Sequence, residues 1–211
     1  MRQAACRKAD TVIVLDFETT GMSPDQGDRA IEVGAVKLVA GQVTGRFQGL
    51  MNPGLRVNTF IEGLTGISNE MLADAPACAV VMTAFADFID GHDLVAHNAS
   101  FDRRFLDAEL ARIGRGYSGE FACSMLAARR VYREAPNHKL GTLVAYNRIP
   151  VTGTFHRALA DAEMTAQLWL KMLTDLEDNY RLEQIPFSLM QEISRTPKAS
   201  IDRFLKDRGK G

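Results

Sequence analysis

The sequence predicts an α/β domain in which a mixed β-sheet carries helices on both faces. Three observations lead there. Strand-like stretches cluster in the first fifty residues, later short strands alternate with helical ones, and a long amphipathic stretch near residue 165 supplies a covering helix. With 211 residues, 46% of them hydrophobic and 24% charged, the chain has an ordinary globular composition. That excludes a disordered or fibrous protein and allows one domain of roughly 170 to 200 residues with its own core. The expected organisation is a short N-terminal extension over 1–10, one domain over 11–178 and a C-terminal helix or tail over 179–211.

Thr11 to Phe17 is apolar on both alternating faces, the mark of a strand buried on both sides and central in its sheet. A Gly, Pro and Asp loop follows over 21–28. Ala30–Val39 and Gln42–Met51 read as strands joined in a hairpin at Ala40-Gly41. Asn52-Pro53-Gly54 is a turn, and Ser68 caps a short helix containing Met71 and Leu72. Val80–Ile89 is a second helix and Leu94–Ala96 a short buried strand. Asn98 is placed to cap a helix that runs to Ile113, and Gly114–Gly119 breaks it. Phe121–Cys123 is a last strand, followed by Arg-rich and Leu-rich helices on either side of Pro136. Leu159–Leu173 is the final strongly amphipathic helix. Beyond Asp178 the chain turns polar, with Pro186, Pro197 and a basic end.

No apolar run approaches the ~20 residues of a membrane span, and residues 1–10 lack the apolar centre of a secretion signal, so a cytoplasmic protein is expected. Cys6, Cys78 and Cys123 are far apart and form no Cys-x-x-Cys pair, which reads as three reduced thiols. The net charge of −1 conceals a basic middle: residues 102–157 hold ten Arg or Lys against five acids. Such a stretch suits a polyanion at one edge, and equally a set of solvated helix faces.

The acids are where chemistry enters. Asp16 and Glu18 lie two apart on the first strand, so they leave the face that Val12 and Val14 also occupy. Carboxylates on a core face are costly unless protonated, paired or bound to metal. Asp102 shares a helical face with Leu106, Leu110 and Ile113, and Asp161 with Met164, Leu168 and Met172. Singly, Asp16 could cap a turn, Asp102 could pair with Arg103 or Arg104, and Asp161 suits a helix first turn. Together, four inward-looking carboxylates suit hard cations such as Mg²⁺ or Mn²⁺, and two ions neutralise them better than one.

His156 stands five residues before Asp161, after a loop-like Gly153-Thr154-Phe155. An imidazole there suits a general base that takes a proton from water.

Three segments then resemble a known family: Asp16-Phe17-Glu18-Thr19-Thr20-Gly21, His97-Asn98-Ala99-Ser100-Phe101-Asp102, and His156-Arg157-Ala158-Leu159-Ala160-Asp161-Ala162. Their order and spacing are similar to the three exonuclease motifs of the DEDDh 3′→5′ exonucleases, among them the epsilon subunit of DNA polymerase III and ribonuclease T. Leu64-Thr65-Gly66-Ile67 also resembles a family segment, and the likeness extends over about residues 12–173. It implies a ribonuclease H-like fold with a five-stranded mixed sheet flanked by helices. It further implies that Asp16, Glu18 and Asp161 hold a first metal ion, that Asp16 bridges to a second, that Asp102 acts directly or through water, and that His156 is the base. Thr19 and Gly21 would contact the terminal nucleotide, Leu64 and Phe101 the last bases, and Thr65 the backbone. Phe101 also fits a helix core, Asn98 a cap, His97 a structural role and Cys123 packing.

The resemblance implies a metal-dependent 3′→5′ exonuclease that releases nucleoside 5′-monophosphates from single-stranded or frayed DNA. An exoribonuclease trimming RNA ends would share every catalytic residue, since nothing in the motifs reads the 2′-hydroxyl. A third reading is an accessory subunit docked on a polymerase or a sliding clamp. Gln184-Ile185-Pro186-Phe187-Ser188-Leu189 has a loose likeness to clamp-binding peptides.

Overall fold

The computed structural model describes residues 7–150 and 156–209, so Cys6 and the loop expected at Gly153–Phe155 lie outside the described residues. Five strands, β1 (Ile13–Thr19), β2 (Ala30–Val39), β3 (Gln42–Leu50), β4 (Leu94–Ala96) and β5 (Phe121–Cys123), form one sheet in the order β3-β2-β1-β4-β5. The β3-β2-β1 meander is antiparallel, while β4 and β5 run parallel to β1. The sheet is therefore mixed, with β1 at its centre.

The β2-β3 hairpin turns at Ala40 and Gly41, whose φ values of 49° and 74° are the paired left-handed conformations that match a two-residue turn to the twist of its strands. Along β1 the side chains alternate as the pattern requires. Val12 and Val14 enter one core with Val36, Leu38 and Trp169, and Ile13, Leu15 and Phe17 enter the other with Phe85, Phe105 and Leu106. Asp16 and Glu18 continue the first of these rows toward the strand's carboxyl end. A register shift between Glu18 and Thr19 interrupts the pairing with β2 there, which resumes with Thr19 opposite Ala30.

Helices α1 (Thr59–Thr65), α2 (Asn69–Asp74) and α3 (Cys78–Ile89) precede β4, and α4 (Ala99–Arg112) follows it. Ser68 caps α2 as its position suggests, its hydroxyl accepting the Met71 N–H. Asn98 occupies the N-cap position of α4 without acting as a cap. Its φ of 74° is left-handed, which asparagine tolerates, and its side chain accepts no helix N–H. Helices α5 (Ser124–Val131) and α6 (Leu140–Tyr146) cover the sheet beside α7 (Ala158–Tyr180), which is longer than its amphipathic stretch suggested. Gly34 explains how close α7 comes. A Cβ there would lie 2.1 Å from the Leu159 nitrogen, so the first turn of α7 rests directly on β2.

After Asp178 the chain forms α8 (Phe187–Arg195) and α9 (Ile201–Arg208), and both are packed into the domain. Phe187, Leu189, Met190, Ile193, Ile201 and Leu205 join the core around Trp169, whose indole N–H donates to Ala9 O at 2.7 Å. Ala9 N donates to Ile185 O and Phe187 N to Arg7 O, tying this segment to the start of the domain. This counts against the sliding-clamp expectation. Ile185, Phe187 and Leu189 are 4%, 2% and 4% exposed, so the apolar side chains a clamp would grip are already inside the protein. No helix among the described residues is long and apolar enough to cross a membrane.

Candidate active site

Three elements bring the four acids together at the carboxyl end of β1. Asp16 and Glu18 come from β1 itself. Asp102 sits in the first turn of α4 and reaches the strand, its Oδ1 accepting the Phe17 N–H at 3.2 Å. Asp161 sits in the first turn of α7, and its Oδ2 accepts the backbone N–H of His156 at 3.0 Å. Glu18, His156 and Asp161 each offer a ligand atom, and these atoms lie within 4.8 Å of one another.

The electrostatics follow from crowding. Burial, and then the charges of Asp102, Asp161, Glu18 and Glu32, hold the Asp16 carboxyl well above the usual carboxylate range. Burial and the neighbouring Asp161, Glu32 and Asp102 push Glu18 up to about 8, with Arg157 pulling the other way. Asp102 is raised to about 7 by burial, less what the Phe17 N–H recovers. Asp161 is raised by burial against the opposing His156 backbone N–H. The buried Asp161 Oδ1 has no hydrogen-bond partner. An excess of buried carboxylates with one oxygen left unpartnered fits a hard divalent cation.

A pH experiment tests this arrangement. A carboxyl whose pKa is raised by folding adds stability below its unfolded value of about 4, and loses it as pH rises through the folded value. For Glu18 and Asp102 those folded values are about 8 and about 7. In chelator, the melting temperature should therefore fall between pH 5 and pH 8.5. Millimolar Mg²⁺ or Mn²⁺ should largely abolish the fall by binding the ionised carboxylates. A chelated protein equally stable at both pH values would remove the crowded cluster.

The expected substrate contacts are placed unevenly. Leu64 lies exposed on α1, and Phe101 is half-buried with its ring 5.0 Å from that of Phe105. Thr19 is buried and its hydroxyl donates to Gly21 O at 2.6 Å. A Cβ on Gly21 would meet the Asp28 carboxylate at 2.4 Å, so that side chain would have to move to admit one. Thr65 faces inward, its hydroxyl donating to Ile61 O and accepting the Ile67 N–H, so its side chain is not a surface contact. His97 is structural in geometry: Ser124 Oγ and His138 O bracket its ring, and burial lowers its pKa to about 4.

One residue at the site was not singled out from the sequence. Glu32 on β2 is the cross-strand partner of Glu18 and is fully buried. Two like charges facing each other on neighbouring strands are destabilising unless one is paired, and here Arg157 pairs Glu32 at 2.8 Å. Burial raises the Glu32 pKa, but the hydrogen bonds from Arg157, Gln48 and the Ala158 N–H outweigh it and leave the pKa lowered. The signal was present in the sequence as an acid in the buried run of β2.

A mixed five-stranded sheet with acids gathered at the carboxyl end of its central strand defines a ribonuclease H-like domain. The profile of the RNase T-type exonuclease family matches residues 13–169, and the chain belongs to that family of phosphodiester hydrolases. Among curated relatives, the chain is 36% identical over 166 residues to the PolC-type DNA polymerase III of Caldanaerobacter subterraneus subsp. tengcongensis. That match takes in 79% of this chain and 12% of the relative. It is 39% identical over 171 residues to the PolC-type DNA polymerase III of Staphylococcus saprophyticus, covering 81% of this chain and again 12% of the relative. This chain thus spans about an eighth of the length of these relatives. Among solved structures, exonuclease X in complex with 5′ overhanging duplex DNA superposes with a TM-score of 0.67 at 24% identity, over 87% of this chain and 99% of that one. The nuclease domain of 3′hExo, a DEDDh family member bound to rAMP, gives 0.67 at 21% identity, over 79% and 92%.

Proposed function

We propose that the protein is a metal-dependent 3′→5′ exonuclease that releases nucleoside 5′-monophosphates from the 3′ end of single-stranded or frayed DNA. The carrying observation is the convergence of Glu18, Asp161 and His156 within 4.8 Å, beside Asp16 and Asp102. In this reading Asp16, Glu18, Asp102 and Asp161 hold two divalent cations, Mg²⁺ or Mn²⁺. Bound there, such cations supply Lewis-acid polarisation of the phosphoryl oxygen and charge compensation for the leaving oxygen.

The chain's own groups do the rest. Asp161 orients its neighbour by accepting the His156 backbone N–H. The exposed imidazole of His156 is then free to accept a proton from the attacking water. Leu64 and the half-buried Phe101 offer apolar faces on which terminal bases of any identity can stack, with Thr19 and Gly21 shaping the loop beneath. Cations of the basic middle supply the sequence-independent attraction to phosphate.

DNA is preferred to RNA because the two curated relatives described above, at 36% and 39% identity, are DNA polymerases. The same likeness favours a DNA polymerase as partner and a cytoplasmic place of action. The RNA reading is favoured by the 3′hExo nuclease domain bound to rAMP, at 21% identity, and by a 3′-exonuclease that recognises the 3′ end of a histone mRNA stem-loop, at 18%. Labelled DNA and RNA oligomers of one sequence, incubated side by side with Mg²⁺ and with chelator, separate the two. Mononucleotides released from DNA only when metal is present are expected. A strong preference for RNA would overturn the substrate, and hydrolysis in chelator would overturn the metal.

A further inference from the structure

We propose that Glu32 is the positioning residue for His156: its buried carboxylate clamps the Arg157 side chain and the first N–H of α7, and so fixes the imidazole beside Glu18 and Asp161. The role assigned to His156 rests on the exonuclease reading, whereas the clamp itself is a matter of geometry.

Both oxygens of Glu32 are fully engaged. Oε1 accepts from Arg157 Nη2 at 2.8 Å and from Gln48 Nε2 at 2.9 Å. Oε2 accepts from Arg157 Nε at 3.1 Å and from the Ala158 N–H at 3.0 Å. With its lone pairs occupied in this way, Glu32 is a holder and not a fifth ligand. Its bidentate grip on a guanidinium fixes direction as well as distance. The Ala158 N–H is among the unsatisfied donors at the start of α7, where a carboxylate is favoured.

His156 needs such a hold. Its φ of 63° is left-handed, a conformation that costs a histidine energy and persists only when the surroundings impose it. Two constraints do so. The His156 N–H is tied to Asp161, and the next two residues are tied to Glu32. Gly34, two residues along β2, lets the α7 backbone settle against the strand that carries the clamp. Strand β2 thereby sets the distance between the imidazole and the acids of β1.

The test uses the full chain with histidine side chains isotopically labelled. The variants are Glu32→Gln and Arg157→Lys, each also combined with His156→Ala. In chelator, both single variants should shift the His156 ring resonances while leaving in place those of His92, which is half-buried with its ring bonded to Asp90 O. With Mg²⁺ and single-stranded DNA, Glu32→Gln should lower kcat by about 10- to 100-fold, the usual cost of losing a group that orients a catalytic side chain, with KM changed by less than about threefold. In the His156→Ala background the same substitution should cost less than about threefold, because groups that act as a unit are not additive. Unmoved His156 resonances in both variants, or an equal loss of kcat with and without His156, would overturn the clamp. Should Glu32→Gln fail to fold, Arg157→Lys carries the same reading, since that side chain is partly exposed. A wild-type protein inert on both polymers would sink the exonuclease reading alone, and the resonances would still decide the clamp.

Discussion

Asp16→Ala reduces release of mononucleotides from a 3′-labelled DNA oligomer to background, an expected loss of about 10,000-fold or more. The size follows from what the site is for. Bound cations are worth several kcal/mol of transition-state stabilisation, and about 1.4 kcal/mol is a factor of ten in rate. Asp16 is the acid on which the charges of Asp102, Asp161, Glu18 and Glu32 all bear, so it stands at the centre of the cluster. That crowding makes the loss distinguishable from unfolding. Without cations, removing the carboxyl relieves both its burial and its repulsion, so the variant in chelator should melt no lower than wild type at pH 8. An unchanged rate would remove Asp16 from the machinery. A collapsed melting temperature would instead show that its carboxyl holds the fold.

His156→Ala lowers kcat by a factor on the order of 100 to 10,000, the range for loss of a general base, with KM little changed. The side chain is exposed, so its removal leaves no cavity and folding should be unaffected. What disappears is a proton acceptor whose ring atom lies within 4.8 Å of ligand atoms of Glu18 and Asp161. Full turnover at saturating DNA would hand the proton to another group. A large rise in KM with kcat intact would make His156 a binding residue.

Much of the frame was legible along the chain. The strand bounds Ala30–Val39, Leu94–Ala96 and Phe121–Cys123 match the observed elements because strands inside a covered sheet are mostly apolar on both faces. Asp16 and Glu18 stood out for the same reason, as acids where the alternation calls for apolar side chains. Helix α1 gave little signal. It has seven residues, with β-branched Thr59, Ile61 and Thr65 and with Gly63 inside, and its formation depends on the Asn58 cap and on packing. The C-terminal segment reads as polar because α8 and α9 are short and each buries only one stripe, which the charges between them hide. Its burial against Trp169 and residues 7–9 depends on partners that lie far away in sequence.

The sequence by itself determined the order of strands and helices, the family, and the acids that face inward, since alternation and helical spacing are local and each side chain's face is set by its neighbours. Only the tertiary structure decided what those acids meet. Glu18 and Glu32 are both glutamates on buried strands, yet one faces the cluster with its carboxyl pushed toward neutrality and the other is held ionised by Arg157, 125 residues away. A carboxyl's charge and task are fixed by the few ångströms around it, and a folded chain fills that space from segments whose proximity no local pattern records.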